Sequence, residues 1–367
     1  MAFQPEFTAT ASNIGYGWWS HDIGGHYQGT HDDELMARWT QLGVFSPILR
    51  LHSSRSVFNT REPWAYSEEG VITKALQFRH RLIPYLYTCA VIASTEYRNL
   101  VEPIYYDYPE TPEAYAYKTQ FTFGPALLVL PIVAPKSTST KLGKAKGWLP
   151  PGRWVDIFTE TVYDGDRVVS LHRDITQYPV LARQGAIIPL DAGFGNGATL
   201  PEAIEIMLVV GRDGSFDLVE DSGGEPCSHT SLQFNQAQGT LTITPCNALQ
   251  RSWSVRLLSC EPKTITLYVD GQTMPTTYES GLIQLGKHRT TSEIKLDIGP
   301  NPTLAKIDHK PAIFKMLQKA QIGIDEKGLA WEAIDGNVLR VLGRLKAIGL
   351  DEDMREAMEE LLLADLS

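Results

Sequence analysis

The sequence has few cysteines, no long apolar run and no excess of basic residues. Its four cysteines include no C-x-x-C pair and are spread too thinly over 367 residues for a disulfide framework, so we expect reduced thiols, no metal site and no cofactor. They are Cys89, Cys227, Cys246 and Cys260. No apolar run reaches the roughly 18 residues of a membrane span, and the first residues lack the basic and apolar regions of a signal peptide. We therefore expect a cytoplasmic protein without a membrane segment.

The acidic balance of the chain excludes one class of partner. A net charge of −10 and a pI near 5.4 do not provide the basic stripe that a nucleic-acid surface needs to neutralise phosphates. A neutral or small substrate fits this charge better. Hydrophobic residues at 43% and charged residues at 21% are typical of a globular protein, and the length suffices for two or three domains.

The first 105 residues alternate short apolar runs with longer helical patterns. The runs at 13–19 and 46–51 predict strands, and the patterns at 33–42 and 71–97 predict helices. Such alternation is typical of the β/α units of a parallel sheet or barrel.

Two β-rich zones and a helical segment follow. Short runs of branched and aromatic residues, separated by Gly- and Pro-containing turns, predict an antiparallel sandwich over 106–192 and a second β-sandwich over 193–300, joined by a glycine-rich connector at 192–197. Beyond them, 301–367 predicts a helical extension, with helices at 311–321, 337–348 and 351–366.

The last predicted helix is amphipathic and well delimited. Gly349 suits the C-cap of the preceding helix, and Asp351 suits the next N-cap. One face carries Met354, Met358, Leu361 and Leu362. This face either packs on its own protein or binds a partner, and the sequence leaves both interpretations open.

The chemistry-bearing segment is the run over 13–26. It ends in Asp22, which is followed by Gly24 and Gly25. In a parallel barrel, functional groups lie at the carboxyl ends of strands, so Asp22 stands where a ligand-binding carboxylate is expected. A carboxylate can accept hydrogen bonds from two vicinal sugar hydroxyls, and the glycines allow the backbone to come close.

His52 follows the next apolar run in the same way. Its imidazole can donate to or accept from a ring hydroxyl, although a histidine at a strand end is more often a satisfied structural residue. The intervening helix carries an ordinary core face, with Leu35, Met36, Trp39 and Leu42. Two successive β/α units whose strands both end in polar groups favour a functional interpretation of the pair.

Five ordered segments resemble glycoside hydrolase family 31. They are GWWSHDIGG at 17–25, SPILRLH at 46–52, RHRLIPYLY at 79–87, QFTFGPALLV at 120–129 and LPPGRWVD at 149–156. The resemblance therefore extends over residues 17–156 of the chain.

This resemblance implies an α/β fold and a sugar site. It implies a barrel fragment, the last two β/α units of a (β/α)₈ TIM-type barrel, followed by two all-β sandwich domains and, from the pattern above, a C-terminal helical segment. Residues 8–52 would then hold barrel strands seven and eight, and Asp22 and His52 would bind sugar hydroxyls. Trp18, Trp19 and His26 line the same neighbourhood, without an individual role to carry over.

The sequence departs from the family in its catalytic groups. Retaining members use an Asp nucleophile and an Asp acid/base, with carboxyl groups about 5 to 5.5 Å apart. The nucleophile motif W-x-D-M-N-E is absent, so we expect both groups upstream of Met1 and assign no catalytic residue. Gly165 and Asp166 read as a hairpin turn, and the acidic residues at 32–34 read as a helix N-terminus.

The function expected from this sequence is that of part of an enzyme. The chain is interpreted as the C-terminal part of a retaining α-glucosidase-like or α-xylosidase-like hydrolase, inactive without its N-terminal part. The alternatives are a non-catalytic carbohydrate-binding or scaffold module and a truncated product without function. Two strands cannot close an eight-stranded barrel, so we expect an N-terminal barrel-completing polypeptide or self-association in addition to an oligosaccharide or α-glycoside substrate.

Overall fold

The computed structural model describes residues 1–27, 29–193, 199–221, 226–244, 250–289 and 291–366. Of the features named above, residues 194–197 of the glycine-rich connector and the side chains of Cys227 and Cys246 lie outside the described residues.

Helices dominate the first hundred residues. They are α1 (Gln4–Thr10), α2 (Asp33–Val44), α3 (Glu69–Arg81) and α4 (Ile83–Glu96), with short 3₁₀ helices at Ala11–Ile14 and Pro63–Ala65. At the start of α2, the Asp32 carboxylate accepts a hydrogen bond from the backbone N–H of Leu35 at 2.8 Å. The acidic residues at 32–34 therefore cap a helix, as their pattern predicts.

The predicted strand over 13–19 is wrong. A 3₁₀ helix occupies Ala11–Ile14, and it ends at Gly15 with a left-handed φ of 72°. Among the residues that the structure describes, these segments pair through two parallel bridges, Ser20 with Ile48 and Ile23 with Leu51, so the predicted strand over 46–51 is present only as bridges. A parallel ladder is slightly weaker per residue than an antiparallel one. In the described part of the chain these two segments pair only with each other, so neither becomes a regular strand.

The helical pattern at 71–97 is confirmed, but as two helices. The helix is interrupted at Leu82, between α3 and α4, and Pro84 lies in the first turn of α4. Proline lacks an N–H and fixes φ, so it fits the first turn of a helix and cannot continue the preceding one.

The first β-rich zone is an antiparallel arrangement. Its strands are β1 (Val101–Glu102), β2 (Phe121–Phe123), β3 (Leu127–Val129), β4 (Gly143–Leu149), β5 (Arg153–Asp156), β6 (Val162–Asp164), β7 (Arg167–Arg173) and β8 (Val180–Arg183), with helix α5 (Pro112–Ala116) and a 3₁₀ helix at Ile104–Tyr106. Six of them form a sheet in the order β1-β2-β3-β8-β5-β6, and β4 pairs with β7.

The second β-rich zone contains two sheets, one of five strands and one of six. Its strands are β9 (Ile187–Asp191), β10 (Ala203–Leu208), β11 (Gly214–Asp221), β12 (Pro226–Asn235), β13 (Thr240–Ile243), β14 (Gln250–Leu257), β15 (Thr266–Val269), β16 (Gln272–Met274), β17 (Thr277–Glu279), β18 (Leu282–Arg289) and β19 (Ile294–Asp297). One sheet runs β17-β18-β14-β10-β9 and the other β11-β12-β13-β19-β15-β16. Both predicted β zones are thus β-sheet structure, whereas the number of sandwiches and the domain boundaries stay predictions.

The C-terminal segment is helical, as predicted. Its helices are α6 (Lys310–Lys319), α7 (Ile324–Ala333), α8 (Val338–Ile348) and α9 (Glu352–Leu362), which share a hydrophobic core of their own. The sequence pattern misses α7 because its buried positions are two alanines, Ala330 and Ala333, so it lacks a stripe of large apolar residues. Among the described helices of the whole chain, none combines the length and the apolarity that a bilayer crossing requires.

Helix α9 packs on its own protein. Met354 and Met358 are fully buried, Gly349 closes α8 with a φ of 72°, and the Asp351 carboxylate caps α9 at 3.2 Å from the backbone nitrogen of Met354. This favours the self-packing interpretation of the amphipathic face over a partner-binding helix.

A buried charge network joins α9 to the first β zone. The Glu360 carboxylate lies 2.7 Å from Nη1 of Arg173 and 3.0 Å from Nδ1 of His172, and it accepts a hydrogen bond from the Tyr163 hydroxyl at 2.7 Å. The other end of the Arg173 guanidinium contacts Asp156 at 2.7 Å. Burial alone would raise the pKa of Glu360, but Arg173 and His172 outweigh it and lower the pKa to about 2.

We expect Glu360→Gln to loosen α9 selectively. The substitution leaves the Arg173 charge buried with one carboxylate fewer, which costs roughly 3 kcal/mol, about a hundredfold in the exchange rate of the α9 amides. Hydrogen–deuterium exchange of 352–362 measures this. The matched control is Glu352→Gln on the same helix, which removes an exposed contact with Arg355 at 3.7 Å and should cost under about 1 kcal/mol. Equal effects of the two substitutions would contradict the assigned network.

The same network predicts a pH dependence. Because the folded pKa of Glu360 lies below its ordinary value of 4.5, its contribution to stability is complete above pH 4.5 and is lost as the pH falls to about 2. The gap in thermal midpoint between the wild type and Glu360→Gln should therefore be largest at neutral pH and shrink in acid. A gap that is constant from pH 7 to pH 2 would show that the carboxylate charge is not the stabilising feature.

Candidate functional site

The site is formed where two chain segments lie side by side. The parallel bridges join Ser20 to Ile48 and Ile23 to Leu51, and the backbone N–H of Ile23 donates to the carbonyl of Arg50 at 3.2 Å. Ile23 is fully buried and anchors its segment in the core. Since the segments are parallel, the polar residues that follow each of them emerge at the same edge.

A glycine turn follows Asp22. The N–H of Gly25 donates to the carbonyl of Asp22 at 2.8 Å, and Gly24 and Gly25 have φ values of 88° and 89°. A Cβ on Gly24 would also collide with the side chain of Arg61. The left-handed backbone favours glycine at both positions, and the turn returns His26 to the Asp22 carboxylate.

Asp22, His26 and His52 form one cluster. Nδ1 of His26 lies 3.2 Å from Oδ2 of Asp22, the imidazole rings of His26 and His52 have centroids 5.1 Å apart, and one donor atom from each of the three residues lies within 4.8 Å of the others. Arg50 contacts the other oxygen of Asp22. The Asp22 side chain is 25% exposed and that of His26 is 49% exposed, so the cluster faces solvent instead of a dry interior.

The loops that carry the two histidines are tied together. The backbone N–H of Ser54 donates to the carbonyl of His26, and the side-chain amide of Asn59 donates to the same carbonyl at 3.3 Å. The Arg61 guanidinium donates to the carbonyl of Gly25 at 2.7 Å. These bonds hold the segment after His52 against the segment after Asp22.

The two tryptophans predicted for the site, Trp18 and Trp19, are not among the three residues of the cluster. Trp18 is 58% exposed, and the ring of Trp19 packs edge-on against Phe7 of α1 at 4.5 Å and against Tyr16 at 5.8 Å. Three of the five predicted site residues therefore come together, and the sugar contacts of the tryptophans stay predictions.

His21 supports Asp22 from the opposite face of the segment. It is buried, its Nε2 lies 2.8 Å from the Ser46 hydroxyl, and its Nδ1 accepts a hydrogen bond from the Trp39 indole at 2.8 Å. Burial lowers its pKa to about 4, against a smaller opposing effect of Asp22, so the ring is neutral at pH 7. The Trp39 bond places the single ring proton on Nε2, directed at Ser46.

Sequence reasoning missed His21 and Arg50, although a signal for each was present. Side chains alternate between the two sides of an extended segment. His21 must therefore lie opposite Asp22 and face the core, and Arg50 must share a side with His52.

Sequence comparison then identifies the family. A model of the glycoside hydrolase family 31 TIM-barrel domain matches residues 1–89, and a model of the family 31 C-terminal domain matches residues 98–188. Over these two stretches the chain matches glycoside hydrolase family 31. The resemblance inferred from the five sequence segments is confirmed.

This chain spans only part of the length of the family 31 relatives that it matches. The α-xylosidase XylQ of Lactiplantibacillus pentosus is 37% identical over 243 residues, which are 62% of this chain and 30% of the relative. An α-xylosidase of Saccharolobus solfataricus is 28% identical over 57% of this chain and 29% of its own length. The family 31 dextranase of Flavobacterium johnsoniae, solved with glucose, superposes with a TM-score of 0.70 at 21% identity, over 81% of this chain and 41% of the dextranase. That last likeness supports the fold alone.

The buried environment of His21 can be checked directly. In a proton NMR titration of the ring, we expect His21 to remain neutral down to about pH 4, and in concentrated urea to titrate near its ordinary 6.5. Since the folded pKa is depressed, this residue stabilises the fold above pH 6.5 and loses that contribution as the pH falls toward 4. A folded-state midpoint above pH 6 would contradict the buried hydrogen-bonded ring.

Proposed function

We propose that this chain forms part of the substrate-binding edge of a retaining α-glycoside hydrolase, with Asp22 and His52 bonded to sugar hydroxyls. The observation that carries the proposal is the parallel bridging of 20–23 with 48–51, which leaves the two side chains in one solvent-facing cluster. Membership of family 31 and the α-xylosidase relatives support the substrate class, a terminal α-glycoside.

The chemistry of the cluster suits a polyol. A carboxylate offers several lone pairs to vicinal hydroxyls, and an imidazole both donates and accepts. The Arg50 contact orients the Asp22 carboxylate and leaves its second oxygen facing the cluster. A sugar hydroxyl that bonds to a charged group contributes roughly 1.5 to 3 kcal/mol.

We further propose that the catalytic carboxylates come from polypeptide outside these residues. The sequence contains no W-x-D-M-N-E motif. Among the described residues Asp22 is paired with Arg50 and His26. Retention requires two carboxyl groups about 5 to 5.5 Å apart. On this proposal the isolated chain binds sugar without hydrolysing it.

A barrel-completing polypeptide, or self-association, would cover the N-terminal surface. The segments at 20–23 and 48–51 pair only with each other among the described residues, which leaves open edges on both sides. Several large apolar side chains near them are exposed, namely Phe3, Ile14, Tyr16, Val57 and Phe58. Apolar surface of this kind is normally covered by another polypeptide.

The second candidate is a non-catalytic carbohydrate-binding module. The observation that favours it is the intact Asp22–His26–His52 cluster in a chain without the nucleophile motif. The two candidates differ in whether hydrolysis appears when the N-terminal barrel units are supplied.

The test measures turnover and binding on the 367-residue chain. We expect no release of aryl alcohol from aryl α-xylosides or α-glucosides, and binding of methyl α-xyloside or methyl α-glucoside that weakens roughly tenfold or more in Asp22→Asn and in His52→Ala. His31→Ala is the matched control, because His31 forms a similar pair with Asp33 at 3.1 Å in the following loop. Calorimetry measures the affinities.

Two results would overturn these assignments. Turnover by the chain alone would contradict the external origin of the catalytic carboxylates. Wild-type sugar affinity in both Asp22→Asn and His52→Ala, or no binding by the wild type, would contradict the proposed sugar site. Hydrolysis on adding the first six barrel units of a family 31 α-xylosidase would favour the enzyme over the binding module.

A further inference from the structure

The cluster at the barrel edge also has the composition of a metal site. Asp22, His26 and His52 each direct one donor atom into a region where all three lie within 4.8 Å of one another. Cysteine spacing predicts no metal site, but these donors are two imidazoles and one carboxylate, and none is a thiolate. We propose that Asp22, His26 and His52 bind one Zn²⁺ ion.

The donor set selects the kind of ion. Two imidazole nitrogens with one carboxylate oxygen suit zinc and neighbouring late transition metals. Calcium and magnesium prefer sites made of oxygen donors and are disfavoured by two imidazoles. Three protein ligands leave a fourth tetrahedral position for water or an added ligand.

The distances are close to those of a tetrahedral site. Bonds of about 2.0 to 2.2 Å with tetrahedral angles separate neighbouring donor atoms by about 3.3 Å. Oδ2 of Asp22 and Nδ1 of His26 are 3.2 Å apart, which matches this separation. Bringing in His52 needs a shift of up to about 1.5 Å, which rotation of a partly exposed side chain provides without moving the backbone.

Two cations stand near the site and limit its affinity. Arg50 contacts Oδ1 of Asp22, and Arg61 donates to the carbonyl of Gly25 beneath His26. The Arg50 contact leaves Oδ2 available and orients the carboxylate, as outer hydrogen bonds to metal-bound carboxylates do. Its charge repels the ion, so the site binds more weakly than a closed zinc site.

The scaffold is already in place for these ligands. The glycine turn is closed by the hydrogen bond from the Gly25 N–H to the Asp22 carbonyl, and it brings His26 back beside the Asp22 carboxylate. The hydrogen bond from the Ser54 N–H to the His26 carbonyl fixes the loop after His52 against the loop after Asp22. Ligands held on ordered backbone lose little freedom when the ion binds.

The experiment titrates the full 367-residue chain with Zn²⁺ by calorimetry and with Co²⁺ by visible absorption. We expect one ion per chain, with Asp22→Asn, His26→Ala and His52→Ala each weakening binding by about tenfold or more. The control is His31→Ala, which removes a histidine–aspartate pair and should leave the affinity unchanged. His26→Gln, which is close in size to the native side chain, should act as His26→Ala does if the effect is loss of a ligand.

The same variants separate this proposal from the sugar-binding proposal, which uses some of the same residues. Zn²⁺ binding is measured without sugar and sugar binding without metal, so each proposal has a readout of its own. Unchanged Zn²⁺ affinity in His26→Ala or His52→Ala, or Mg²⁺ binding as tight as Zn²⁺, overturns the metal site whatever the sugar result. Blockage of sugar binding by Zn²⁺ would support the shared site.

Discussion

The parallel register between 20–23 and 48–51 is the constraint on which the candidate site depends. A parallel pair delivers the ends of both segments to one edge, so residues 30 positions apart in sequence, Asp22 and His52, share a cluster. A register shift of one residue would turn Asp22 to the face that His21 now occupies. The buried Ile23 and the His21 bonds to Ser46 and Trp39 hold the register.

Charge is used in two opposite ways in this molecule. At Glu360 the carboxylate is buried and completely partnered by Arg173, His172 and Tyr163, which fastens the helical segment to the β zone and leaves little capacity for a ligand. At Asp22 the carboxylate is partly exposed and keeps one oxygen within reach of a cluster of imidazoles. The first arrangement stabilises the fold, whereas the second offers open coordination to a hydroxyl or an ion.

Features that depend on residues close in sequence were predicted better than features that depend on contacts with distant segments. The caps at Asp32, Gly349 and Asp351 were predictable because a carboxylate or a glycine acts on its own helix end. The run at 13–19 was misread, because an apolar sequence becomes a regular strand only when ladders on its edges satisfy its backbone. Helix α7 has no stripe of large apolar residues because alanines form its buried face. His21 and Arg50 lie within their segments and not at the ends, so the pattern of polar residues after each apolar run does not include them.

The sequence alone determined the family, the order of barrel, β and helical zones, and the pairing of Asp22 with His52, because motifs and periodicity are written along the chain. Only the tertiary structure brought His26 to the Asp22 carboxylate, since that contact depends on two left-handed glycines and on a loop bonded from 54 to 26. It also decided that α9 packs inward, because the position of Arg173 on a distant strand determines which face Glu360 must bury. Contacts between residues far apart in sequence arise from packing, and packing has no local signature.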